Sequence, residues 1–166
     1  MQLVSKTLFV VSALVSAPAA IVIAAPGAAV NTPSHWQGTG KTYDLNGVVS
    51  DTYTLDMVNT PNEQNGEQST VRIVLSSGTA ITMNCTIENG VNKWQKTCDD
   101  GGSGGGYLFA FGLGQDYYKT TDGKAYATQI IFDDATHMRL ERTELDANNQ
   151  AQKFYAESLT LVTASK

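Results

Sequence analysis

Apolar and polar residues alternate with a period of two along most of the chain beyond residue 50, and that pattern specifies half-buried strands with one wet face. Tyr53, Leu55 and Met57 alternate with Thr52, Thr54 and Asp56, and Val71, Ile73 and Leu75 with Thr70, Arg72 and Val74. Ile81, Met83, Cys85 and Ile87 form a third series, Tyr107, Phe109 and Phe111 a fourth, and Tyr126, Ile130 and Phe132 a fifth. Met138 and Leu140 alternate with Arg139 and Glu141, and residues 154–162 make a last alternating run. Between the runs stand Asn46-Gly47, Ser77-Gly78, Asn89-Gly90, Asp122-Gly123, Asp133-Asp134 and Asn148-Asn149. Asn-Gly and Asp-Gly accept the positive φ of tight hairpin turns. No stretch carries a convincing helical period, although a short helix before Trp36 or within 58–67 stays open. Roughly nine or ten strand candidates at hairpin spacing predict an all-β fold, an antiparallel up-and-down meander closed into a small barrel of roughly eight to ten strands. Closure removes the exposed edges of such a sheet.

The first thirty residues have a different grammar. Lys6 precedes an apolar run from Leu8 to Val15 that resumes at Ile21, Val22 and Ile23, and small residues follow from Ala24 to Ala29. Charged head, apolar middle and small-residue exit is the order of a secretory signal peptide. The expected cut is after Ala29, which divides the chain into a leader (1–29) and a single β-barrel domain (30–166). The competing reading is a membrane anchor. Pro18 and Pro26 interrupt the helix an anchor needs, and the uninterrupted apolar stretch falls short of the ~20 residues a bilayer requires. The expected destination is the periplasm or the medium, with no membrane-spanning segment left in 30–166.

The chain carries a net charge of −5. Nucleic acid is a poor partner for it, because neutralising phosphates takes clustered Lys and Arg and here they are scattered singly. Cys85 and Cys98 are its two cysteines. Beyond an export signal they read as a disulfide, with two buried thiols as the alternative. Asn89-Gly90 lies between them, which places them on adjacent arms of one hairpin.

Trp36-Gln37-Gly38-Thr39-Gly40 opens the first strand candidate. A Trp beside a Gly on the first strand, followed by a hairpin meander, resembles the calycin superfamily, which includes the lipocalins and the fatty-acid-binding proteins. The order differs from the lipocalin one, since here Gly follows Trp, and no second lipocalin motif is present. The resemblance implies a ligand cavity. It also implies a late-strand Arg packed on the first-strand Trp, with Arg142 as one candidate and Arg139, on the opposite face, as the other.

The segment from Asp99 to Gly106, two aspartates followed by glycines around Ser103, stands out by composition. It reads as a flexible loop between strands, with a ligand-gating role or a calcium site on Asp99 and Asp100 as alternatives. His35 and His137 are far apart and have no Cys or carboxylate at metal-ligand spacing. His137 follows Asp133-Asp134, where a pH-sensitive pair would form. No nucleophile elbow or cofactor motif occurs, and no metal or cofactor is implied.

The aromatic residues are the strongest functional lead. Trp36, Tyr53, Trp94, Tyr107, Phe109, Phe111, Tyr126, Phe132 and Phe154 fall mostly on the expected inner faces. A small barrel is either filled by such side chains or holds one ligand. The leading expectation is an exported barrel that binds a small, largely apolar molecule through Trp36, Tyr53, Leu55, Met83, Trp94, Tyr107, Phe109, Met138 and Arg142. A filled barrel acting through loops at 59–67 and 99–106 is the second reading, and a non-nucleophilic isomerase or cyclase is the third. Nothing in the sequence sets an oligomeric state.

Overall fold

The computed structural model describes residues 33–64, 66–109 and 112–162. The leader read over 1–29 lies outside them, as does Phe111. The chain forms β1 (Ser34–Tyr43), β2 (Val49–Pro61), β3 (Gly66–Leu75), β4 (Ala80–Gly90), β5 (Lys93–Cys98), β6 (Ser103–Phe109), β7 (Leu113–Lys119), β8 (Ala125–Phe132), β9 (His137–Leu145) and β10 (Ala151–Leu161). Each strand pairs antiparallel with the next, and β1 pairs with β10 from Trp36–Leu161 to Tyr43–Phe154. The result is the all-β meander barrel that the alternation predicts. No helix occurs among the described residues, so none is long and apolar enough to cross a membrane. The helix left open within 58–67 is absent from the described part of that segment, whose residues 58–61 complete β2 instead.

One barrel end, called lower here, carries the β1–β2, β3–β4, β5–β6, β7–β8 and β9–β10 connections. Two of its turns are built alike. Asp44 Oδ1 accepts from the backbone N–H groups of Asn46 and Val48 at 2.9 and 2.8 Å, and Asp146 Oδ1 from those of Asn148 and Gln150 at 2.8 and 2.9 Å. Each aspartate satisfies two turn donors. Gly47 and Asn149 take the left-handed conformation at φ 78° and 60°, which Gly and Asn tolerate best.

The hairpin around the cysteines differs from expectation. Its turn is Val91-Asn92, with Asn92 at φ 55°, and Gly90 is the last ladder residue, paired with Lys93. The reason is the disulfide. A turn at Asn89-Gly90 would set Cys85 opposite Trp94, whereas the observed register sets Cys85 opposite Cys98 and the two are bonded.

The glycine run is not a loop beyond Gly102. Ser103–Gly106 begin β6, and only Asp99–Gly102 make the turn. Glycine is required at Gly106 because a Cβ there would lie 2.2 Å from the Trp94 ring. At Gly40 a Cβ would lie 2.3 Å from the Tyr53 ring. In both places a neighbouring strand's ring lies close against bare backbone, so the glycines are sockets for aromatic side chains.

Inward-facing residues segregate along the barrel axis. The upper half is apolar, with Trp36, Leu55, Met138, Leu140 and Leu159 buried together and Phe132 meeting Trp36 edge-on at 6.2 Å. The lower half is filled by Tyr118 and Tyr126 around the disulfide, by Tyr155 edge-on to Tyr126, and by carboxylates.

Candidate functional site

The upper half is not filled. A cavity of about 450 Å³ lies inside it. Barrel diameter grows with strand number, so ten strands enclose more space than the eight that already suffice to hold one small ligand. Its wall is apolar because the inward parity of each strand delivers one apolar residue after another at that height. Trp36, Met57, Val71, Met83, Ile130 and Met138 line it from six different strands. The upper rim is polar: Asn59 Nδ2 donates to Ser34 Oγ at 3.3 Å, and Asn89 Nδ2 to Glu67 Oε1 at 3.0 Å.

Charged groups make the floor. Lys96 on β5 pairs with Asp116 on β7 at 2.5 Å, and the Trp94 indole N–H donates to the other oxygen of that carboxylate at 3.0 Å. Lys96 also lies over the Tyr118 ring. Arg142 on β9 pairs with Glu157 on β10 at 3.2 Å and lies over the Tyr155 ring. Glu157 has no accessible side-chain surface, while Arg142 keeps 24 % of its own. Burial works against the Arg142 charge, but the Glu157 carboxylate, followed by the Tyr53 oxygen and the Asp116 carboxylate, outweighs it and holds the guanidinium above the ordinary arginine range.

Below the floor, tyrosines plug the barrel. Tyr53 donates to Glu157 at 2.6 Å, Tyr155 to Glu144 at 2.5 Å, and Tyr118 to Asp100. Burial, followed by a neighbouring carboxylate, pushes the phenols of Tyr53, Tyr118, Tyr126 and Tyr155 above the ordinary tyrosine value. Each hydrogen-bonded phenol satisfies a carboxylate that water would otherwise have to reach.

Of the residues expected to bind a ligand, Trp36, Met83, Trp94, Met138 and Arg142 line the cavity together. Leu55 is packed in the apolar core and Tyr53 lies beneath the floor, so neither is part of the lining. Tyr107 and Phe109 require correction. They point outward, 60 % and 51 % exposed, and Leu108 between them is buried. Alternation sets which residues share a face, but Tyr107, Leu108 and Phe109 offer apolar groups to both. Gly106 settles the sign, since its bare face receives the Trp94 ring. Phe154 is likewise outward, and Tyr155 takes the inner position. Arg142 also departs from the expected Trp–Arg pairing: its ring partner is Tyr155, and the ring against Trp36 is Phe132. Arg139, the other candidate, is exposed and paired with Asp133.

Lys96, Asp116 and Glu157 were not among the expected site residues. The available signal was a charge on an inner-face position: Lys96 stands midway between Trp94 and Cys98, and Glu157 two residues before Leu159.

The outward rings produce a second feature. Tyr43, Tyr107, Tyr117 and Phe154 border a shallow trough of about 700 Å³ on the outer wall. It is larger than the cavity and more open to solvent. Asp99 and Asp100, considered for calcium, are engaged by Asn84 and by Tyr118 and the Gly102 N–H. No group of three or more metal-ligating side chains occurs among the described residues. His137 Nδ1 does meet Asp134 at 2.8 Å, on the exposed upper rim.

Fold and site together define a closed ten-stranded antiparallel barrel with an apolar cup in its upper half, an architecture consistent with a calycin-like fold. No known family model matches the sequence, and no curated protein matches it.

Proposed function

We propose that this protein is an exported, calycin-like carrier that holds one small, largely apolar molecule inside the barrel. The cavity carries this reading: its volume of about 450 Å³ falls in the range of small-molecule sites, roughly 300–1,000 Å³. Apolar walls and a few convergent polar groups are also the usual composition of such sites. The loop-based reading is weakened at 99–106, where half of the supposed loop is β6. The disulfide fits an oxidising compartment. Both Trp36 and Trp94 line the cavity, so indole fluorescence reports occupancy directly. Titration with decanol is expected to change that fluorescence saturably, and replacing Val71 with Trp, which fills the space, is expected to abolish the response while the barrel stays folded by circular dichroism. A wild-type signal that neither saturates nor responds to this substitution would sink the proposal.

A further inference from the structure

We infer that the molecule carried has an uncharged polar end, such as an alcohol, ester or amide, and that the floor discriminates against carboxylates. This rests on the carriage reading above. Every cation at the floor already has an anion. Lys96, Asp116, Arg142 and Glu157 form a row of alternating sign, bonded at 2.5 Å between the first two and at 3.2 Å between the last two. The one further charge facing the cavity, Glu67 at the rim, is negative. Deeper in the barrel Lys124 reaches Glu144 at 3.8 Å, and Asp100 takes the Tyr118 hydroxyl. The groups that face the cavity or stand directly behind its floor therefore sum to a negative charge. A carboxylate inserted here would meet Asp116 in the lining, with the buried Glu157 already neutralising Arg142 from behind, in an enclosed space where screening is weak.

Hydrogen-bonding capacity, in contrast, is left over. Only Nη2 of Arg142 donates among the described residues, although a guanidinium has five N–H groups. The Thr128 hydroxyl lines the cavity on the strand between Asp116 and Arg142. A hydroxyl or carbonyl oxygen can accept from Arg142, and a hydroxyl can exchange a bond with Thr128, without adding charge. An ammonium head gains from the negative charge but is disfavoured by hydrogen bonding: each carboxylate oxygen at the floor already holds a donor, Trp94 and Lys96 on Asp116 and Tyr53 and Arg142 on Glu157, and Lys96 and Arg142 stand beside them as cations.

The test is a head-group series on one chain length, read by indole fluorescence at neutral pH: decanol, methyl decanoate, decanoate and decylamine. Decanol and methyl decanoate are expected to bind roughly tenfold or more tightly than decanoate or decylamine. Asp116→Asn keeps an acceptor for the Trp94 N–H but leaves Lys96 without its counter-charge, so the decanol-to-decanoate ratio is expected to shift roughly tenfold towards decanoate. Wild-type protein that binds decanoate or decylamine as tightly as decanol would overturn the inference and leave carriage standing. A ratio unmoved in folded Asp116→Asn would also overturn it. Binding of none of the four would overturn carriage and inference together.

Discussion

At Glu157 the interior holds a carboxylate with no accessible side-chain surface, and two side chains make that tolerable: Arg142 at 3.2 Å and Tyr53 at 2.6 Å. A buried ion pair adds little over a well-packed apolar pair, but removing one member leaves the other charge stranded. Arg142→Met is therefore expected to destabilise the fold by about 3–5 kcal/mol, read from the urea midpoint. Adding Glu157→Gln to it is expected to restore much of the loss, because the stranded charge is gone and an amide oxygen still accepts from Tyr53. A double variant no more stable than Arg142→Met would show that the charge pairing is not what holds this site. Part of this residue-scale chemistry was legible from spacing, since Arg142 shares a face with Met138 and Leu140. Its partner was not: an isolated Glu157 in an alternating run has the same appearance whether it faces a guanidinium or water.

At the scale of the element, the β4–β5 hairpin shows where pattern alone stops. Asn89-Gly90 has the stronger turn propensity, yet the turn is Val91-Asn92. Both registers keep the same residues facing inward, because moving the partner of Cys85 from Cys98 to Trp94 preserves parity. Hydrophobic alternation, which normally penalises a slipped strand, does not separate them. The covalent bond between Cys85 and Cys98 does. Replacing both cysteines with serine is expected to cost about 3 kcal/mol from the restored freedom of the unfolded chain. An unchanged urea midpoint for the double variant would remove the disulfide from any structural role. The same limit applied at β6. Strand boundaries elsewhere followed from alternation and turn residues, but a glycine-rich strand has few side chains to alternate, and its reason for being glycine, the Trp94 ring from β5, becomes visible only once the strands are paired.

Across the whole molecule the two halves of the barrel perform different tasks. The upper half leaves space, so it contributes less packing to stability than a filled core would. The lower half must compensate, and it does so with phenols on carboxylates rather than with aliphatic packing. That choice has a consequence at high pH. Tyr53, Tyr118, Tyr126 and Tyr155 all have phenols pushed above the ordinary value, burial being the largest cause in each. In the unfolded chain a tyrosine ionises near pH 10. A group whose folded pKa is raised contributes stability that is fully present below the unfolded value and is lost as pH rises towards the folded one. The barrel is thus expected to keep full stability up to about pH 10 and to unfold cooperatively above it, the plug opening as its phenols ionise against Glu157, Glu144 and Asp100. Phenolate absorbance and far-ultraviolet circular dichroism, followed together through an alkaline titration, check this. The ionisation of the interior tyrosines should coincide with the loss of β-sheet signal and should be reversible on return to neutral pH. If every tyrosine ionises near pH 10 while the β-sheet signal is unchanged, the phenols are not sealed in the lower half, and the division of the barrel into a cup and a plug fails.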